Sequence, residues 1–175
     1  MRQGGAPQPL GGDMWKRGGR QISWEKLLED IESLSSHPHT LVVGSDSQPF
    51  REGTVMVTAV CFICEERSHH GRYYFMRRII PAHHNNLYLR LYDEVMASIQ
   101  AALRIRDNVG GVDISIHIDA SEKESKASSG RHSKGLVNMA LGYGFRSVEI
   151  KPDSWAASSV ADRHTKKPIK RIARG

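Results

Sequence analysis

Apolar residues recur along the chain with two different periods, and each change of period marks a change of predicted element. A spacing of three or four residues is typical of amphipathic helices. It occurs in four segments of the chain: 23–35, 87–106, 132–142 and 154–165. The first of them begins with Ser23, a suitable N-cap. In the longest, the apolar side chains lie four positions apart, at Leu87, Leu91, Val95, Ile99 and Leu103.

Runs of apolar and β-branched residues predict five strands, at 41–46, 54–65, 72–80, 112–119 and 146–151. The first three are joined by short polar turns and indicate an antiparallel meander. The last two lie on either side of a helix, which requires parallel crossover connections. The prediction is therefore an α/β fold: a mixed five-stranded sheet of three antiparallel meander strands plus two parallel strands, flanked by helices.

The chain has the size of one domain with short appendages, at 175 residues. Residues 1–20 are rich in Gly, Gln and Pro and contain few apolar positions, so we expect a disordered leader. The domain is expected over 21–166, with its N-terminal helix at 23–35, followed by a basic C-terminal tail at 167–175.

Cysteine content and hydropathy indicate the compartment. There is no apolar h-region at the N-terminus, and no stretch approaches the roughly 20 apolar residues of a membrane-spanning helix. Two cysteines cannot form a disulfide framework and suit a reducing cytosol. We therefore expect a cytoplasmic protein without membrane contact; the sequence leaves the oligomeric state open.

The chain is basic, with a formal net charge of +6 and a pI of about 9.5. A basic balance favours a polyanionic partner, because each phosphate contact releases condensed counterions. Part of the excess lies in the two terminal segments, and many small basic proteins bind no nucleic acid. Charge alone leaves both interpretations open.

Three carboxylates are expected at one edge of the predicted sheet. Asp46 ends the first strand and Asp119 ends the fourth, so parallel neighbouring strands would bring both to the same carboxyl edge, where ligands of open α/β sheets bind. Glu94 lies on the inward side of the long helix, three residues after Leu91. Burial of such a carboxylate is costly unless a metal or another partner compensates it.

A fourth carboxylate can come from either of two positions in the last helical segment. Asp153 directly follows the fifth strand, where an ordinary N-cap is the alternative role. Asp162 comes nine residues later, about 13 Å along a helix, so the two cannot reach the same metal pair. Asp153 is preferred because it lies at the sheet edge, and Asp162 is expected to form a surface pair with Arg163.

This arrangement of acids and elements resembles that of RNase H-like nucleases. The segments VVGSDSQ (42–48) and IKPDSWAASSVADRHTK (150–166) are similar to the YkuK family of predicted RNase H-like nucleases, over roughly residues 22–167. The resemblance implies an RNase H-like fold and metal-dependent hydrolysis of RNA, an RNA–DNA hybrid or branched DNA. The implied ions are Mg²⁺ or Mn²⁺, which prefer oxygen ligands. The ligands and catalytic residues would be Asp46, Glu94, Asp119 and Asp153.

Polar and basic residues around these acids are candidates for binding nucleic acid. Ser47 and Gln48 flank Asp46 and either contact phosphate or only form a turn. The loop after Asp119 and the helix that follows carry further candidates for backbone contacts, against the alternative of a solvated basic loop. These candidates are Lys126, Arg131, His132 and Lys134.

Other motifs favour no separate chemistry. Cys61 and Cys64 lie three apart in a strand and would point to opposite faces, which favours a structural role. The sequence contains neither a G-x-x-x-x-G-K-[ST] loop nor a G-x-S-x-G motif, which argues against a nucleotide-dependent transferase. A domain that binds nucleic acid with weak or no catalysis remains the alternative to a nuclease.

Overall fold

The computed structural model describes residues 14–34, 39–64, 72–80, 86–121 and 130–166. Within these ranges the chain forms seven strands, a π-helical segment and four α-helices. The strands are β1 (Trp15–Arg17), β2 (Arg20–Ile22), β3 (His39–Phe50), β4 (Gly53–Cys64), β5 (Arg72–Ile80), β6 (Ile114–Ser121) and β7 (Ser147–Lys151). The α-helices are α1 (Trp24–Leu34), α2 (Leu87–Asn108), α3 (Gly130–Gly142) and α4 (Asp162–Thr165), and the π-helical segment is Ala156–Ala161.

All strands belong to one mixed sheet, in the order β2-β1-β5-β4-β3-β6-β7. β3, β4 and β5 form the predicted antiparallel meander, and β6 and β7 add to it as parallel strands beside β3. A mixed sheet flanked by helices is therefore confirmed. None of the helices in the described ranges is long and apolar enough to cross a membrane.

The predicted count of five strands is wrong, because two three-residue strands precede α1. β1 pairs with β5, with Trp15 opposite Met76, and β2 pairs with β1. Three residues are too few to show a period of two, so the pattern gave no strand signal here. Trp15 is fully buried and anchors this part of the expected leader to the core. Residues 1–13 of that leader lie outside the described residues.

The sheet packs on both faces, as the alternation of side chains along β4 requires. Val60 and Phe62 face the core shared with α1, α2 and α3. Ala59 and Cys61 face the smaller core under the π-helical segment. Burial raises the pKa of the Cys61 thiol to about 12, which suits packing rather than thiolate chemistry. The Cys64 side chain lies outside the described part.

β3 is longer than predicted, which changes the setting of Asp46. The strand was expected to end at Asp46, but it pairs with β4 as far as Phe50 opposite Gly53. Ser47 and Gln48 are polar and resemble a turn in sequence, so the sequence pattern did not predict this continuation of the strand. Asp46 therefore lies within a strand, where the ladder with β4 fixes its backbone.

Candidate functional site

The site lies where β3 and β6 separate. Their parallel pairing ends at Gly44 opposite His117, and both strands continue beyond that pair. Asp46 and Asp119 each come two positions after it, so the two carboxylates leave the same face at the same edge of the sheet. Such a separation point between neighbouring parallel strands is where ligands bind in open α/β sheets.

Asp46 is half-buried and lies among other acids. Burial is the main cause that raises the pKa of its carboxyl to about 6, and the negative charges of Asp119 and Asp162 raise it further. A hydrogen bond from the Thr165 hydroxyl, with 2.6 Å between Oγ1 and Oδ2, and the charge of Arg90 act in the opposite direction. The ionised form of Asp46 is therefore disfavoured, and Thr165 and Arg90 offset this only in part.

Glu94 projects inward from α2, as its position in the helical period predicts, and is 4% exposed. Ser47 Oγ donates a hydrogen bond of 2.5 Å to its Oε1, and Arg90 Nε lies 3.8 Å from the same oxygen. Burial raises the pKa of Glu94 to about 8, with smaller contributions from the charges of Asp46 and Asp119. Ser47, a candidate for either a phosphate contact or a turn, is buried within β3 and holds Glu94.

A chain of buried hydroxyl groups continues from Glu94 beneath the site. Ser98 Oγ, one turn later on α2, lies 3.0 Å from the carbonyl oxygen of Glu94 and 2.8 Å from Ser45 Oγ, within hydrogen-bond distance of both. Ser45 Oγ in turn lies 3.0 Å from Thr58 Oγ1 on β4. These bonds connect α2 to β3 and β4, and so fix the position of the turn of α2 that carries Glu94.

Two lysines that sequence reasoning did not single out are paired with the remaining acids. Lys151 Nζ, at the end of β7, lies 2.8 Å from Asp119 Oδ1. Lys166 Nζ lies 2.7 Å from Asp162 Oδ2, and this bond raises the pKa of Lys166, with added effects of Asp46 and Asp119. Both lysines belong to the motif at 150–166, which is the signal that could have identified them.

The two candidates for the fourth acid lie in different surroundings. Asp153 is exposed, and its charge acts on His117, whose pKa burial lowers to about 4. Asp162 acts on the pKa of Asp46, and Thr165, on the same short helix, donates its hydroxyl to Asp46. The structure thus brings Asp162, rather than the preferred Asp153, to the acids of the sheet edge.

The path of the chain after β7 explains this difference. The π-helical segment contacts β6, β3 and β4 in turn, and α4 then lies against β3 and β4. His164 of α4 is buried and stacks on Phe75 of β5, with ring centroids 3.5 Å apart and planes 12° from parallel. The last helical segment therefore crosses the sheet, and its far end reaches Asp46.

The site has the donor chemistry of a Mg²⁺ or Mn²⁺ centre, because its acids supply only carboxylate oxygens. Burial, and then the neighbouring negative charges, raise the pKa values of Asp46 and Glu94, so their ionised forms are disfavoured without a further cation. In the ranges that the structure describes, no three His, Cys, Asp or Glu side chains already converge as a ligand group. Lys151 and Lys166 hold two of the acids, so metal binding requires them to move.

The remaining candidates for nucleic-acid contact are distributed around this edge. Gln48 is exposed on β3, and Lys134 is exposed on α3. His132 lies in the first turn of α3 and is partly exposed. Arg131 belongs to the same turn, but its side chain, like the whole of Lys126, lies outside the described part.

Comparisons with known proteins place the chain in a family. A comparison with curated proteins gave no match. Among solved structures, the chain is similar to RNase H1 from the halophilic archaeon Halobacterium salinarum NRC-1, at 16% identity and a TM-score of 0.40, over 71% of this chain and 96% of that chain. A family model described as Ribonuclease H-like matches residues 23–166, a range that contains both motifs on which the resemblance was based. The chain therefore belongs to the Ribonuclease H-like family.

Proposed function

We propose that this protein is a divalent-metal-dependent nuclease that hydrolyses phosphodiester bonds in RNA, an RNA–DNA hybrid or structured DNA. One observation carries the proposal. Asp46 and Asp119 leave the same face where β3 and β6 separate; burial, and then the charges of neighbouring acids, raise the pKa of Asp46 to about 6 and of Glu94 to about 8. Family membership supports a role in cleaving or binding nucleic acid.

The proposed ligands of Mg²⁺ or Mn²⁺ are Asp46, Glu94, Asp119 and Asp162. Asp162 takes the place first given to Asp153, because its charge acts directly on Asp46. When bound, two such ions supply an activated water and stabilise the leaving oxygen. The charges of Asp119 and Asp162 both act on Asp46, which would suit Asp46 as the central ligand of the group.

The other residues of the site position these carboxylates. Ser47 and Thr165 each donate a hydroxyl hydrogen to a carboxylate and so fix its orientation without cancelling its charge. An ion that took Asp119 Oδ1 as a ligand would displace the ammonium group of Lys151. The displaced group remains on β7 beside the site, where it can contact a substrate phosphate as a point charge.

The first test replaces Asp46 by Asn, an isosteric change that removes the charge. Asp46→Asn should fold normally and lose Mn²⁺-dependent cleavage across a panel of single-stranded, duplex, hybrid and four-way substrates. Asp107→Asn is the matched control, since Asp107 is exposed near the opposite end of α2. Full cleavage by Asp46→Asn would remove the proposal.

One observation favours a second candidate, a domain that binds nucleic acid without cleaving it. The ion pairs of Lys151 with Asp119 and of Lys166 with Asp162 already compensate two of the acids within the chain. Such a domain would show salt-sensitive binding to nucleic acid. It would show no turnover on any substrate of the panel at any Mn²⁺ concentration.

A further inference from the structure

Aromatic rings are exposed at the start of α2, at the edge of the sheet that carries the carboxylates. Tyr88 and Tyr92 lie one turn apart on this helix, with 40% and 39% of their surface exposed. Their ring centroids are 6.4 Å apart. His132, from the first turn of α3, lies 4.9 Å from the Tyr88 ring. These three residues form what we call the aromatic surface.

The topology places the aromatic surface at the same edge of the sheet as the acids. α2 ends at Asn108 and β6 begins at Ile114 after a short turn, so the start of α2 lies at the edge where β6 ends. α3 follows β6 and begins at this edge as well. The aromatic surface therefore lies at the same edge of the sheet as the candidate site.

The packing of the core does not account for this exposure. α2 buries Leu91, Val95 and Ile99 against the sheet, and the two tyrosines lie to one side of that stripe. α3, which contributes His132, also exposes Lys134. Surfaces that bind single-stranded nucleic acid combine exposed aromatic rings with positive charge.

We propose that the aromatic surface stacks against unpaired bases next to the phosphodiester that is cleaved, so that the substrate is single-stranded at that point. This inference rests on the proposed nuclease function, since it names the substrate class of the same site. In a duplex the faces of the bases are already stacked on each other, and side chains reach them only where the strand is unpaired. The positive net charge of +6 suits the phosphates of the same strand.

Binding can be measured without cleavage in the Asp46→Asn background, with an oligonucleotide that contains 2-aminopurine. We expect the single strand to bind with quenching of the 2-aminopurine fluorescence, which reports stacking. The double variant Tyr88→Ala/Tyr92→Ala should lose that quenching and bind the single strand about tenfold more weakly. Tyr88→Phe/Tyr92→Phe, which keeps the rings, should retain both.

Two controls separate stacking from general effects. Tyr143→Ala removes a tyrosine that is 43% exposed beyond the end of α3, at the opposite edge, and should leave binding unchanged. A fully paired duplex of the same length should bind the alanine double variant as well as it binds the parent. Equal losses for duplex and single strand would overturn the inference, and so would unchanged binding of the single strand.

The two proposals fail in different ways. If cleavage depends on Asp46 but the alanine double variant cuts and binds single strands like the wild type, the inference on substrate class fails and the nuclease remains. If no substrate is cut but quenching depends on the tyrosines, the nuclease fails and a single-strand-binding surface remains. A change of oligomeric state in the alanine variant, without a change in nucleic-acid binding, would assign the surface to a second copy of the chain and overturn the inference.

Discussion

Two of the four carboxylates at the sheet edge accept hydrogen bonds from neutral hydroxyl groups, with Arg90 3.8 Å from one of them, whereas the other two are paired directly with ammonium groups. Asp46 and Glu94, the inner pair, accept hydrogen bonds from Thr165 and Ser47 at 2.6 and 2.5 Å. A hydroxyl donor fixes the direction of a carboxylate but leaves its charge in place. The hydroxyl donors therefore do not compensate the charge of an ionised Asp46 or Glu94, and burial makes that charge costly in free energy.

Asp119 and Asp162, the outer pair, are compensated by Lys151 and Lys166 at 2.8 and 2.7 Å. The side chains of these lysines are 46% and 65% exposed, so each ammonium group can return to water when another cation takes its acid. Exposed ion pairs contribute at most about 1 kcal/mol, because solvent screens them. We therefore propose that the two pairs differ in role. The inner acids favour the binding of a cation, and the outer acids provide further carboxylate ligands, which the exposed lysines release at a small cost in free energy.

After Asp46→Asn, the largest effect should come from Asp162, the acid of the outer pair that sequence reasoning did not prefer. We expect Asp162→Asn to lower kcat/KM for cleavage by more than about 100-fold. Removing a group that only orients a metal ligand typically lowers activity about 10- to 100-fold, and removing the ligand itself should lower it more. Asp153→Asn, at an exposed position away from Asp46, should stay within about twofold of the wild type, as surface changes do. The reverse ranking in cleavage assays would return Asp153 to the site.

The fold and part of the site could be predicted because both depend on local periods. The four-residue spacing of α2 places Glu94 inward, and the crossovers around β6 bring Asp119 towards Asp46. These conclusions need only the period of each element and the handedness of its connections. The resemblance at residues 42–48 and 150–166 then supplied the family.

What could not be predicted depends on contacts between distant segments. Ser47 reaches Glu94 across 47 residues, and Thr165 reaches Asp46 across 119. Periodicity along the sequence cannot predict that the π-helical segment crosses the sheet. This crossing brings Asp162, rather than Asp153, towards Asp46. β1 was missed for a similar reason, since Trp15 is recognisable as core only once β5 is beside it.

A smaller effect is expected when the inner pair loses a hydroxyl donor. Ser47→Ala leaves Glu94 in place but removes the bond that orients it. We expect the affinity for Mn²⁺, measured by isothermal titration calorimetry, to fall about 10- to 100-fold, as is typical when a group that orients a ligand is removed. Ser159→Ala, at an exposed serine of the π-helical segment, is the matched control and should bind Mn²⁺ normally. Equal affinities for both variants would mean that Ser47 only fills space.

The smallest effect should come from the lysine of the outer pair on β7. Lys151→Met keeps the length of the side chain but removes the charge that competes for Asp119. Because an exposed ion pair is worth about 0.2–1 kcal/mol, Mn²⁺ should bind the variant about two- to fivefold more tightly in calorimetry. Lys26→Met is the matched control: Lys26 forms ion pairs with Glu29 and Asp30 on α1, away from the acids of the sheet edge. Weaker Mn²⁺ binding by Lys151→Met than by Lys26→Met would show that Lys151 supports the bound ion rather than competing with it, and the two pairs would then no longer differ in role.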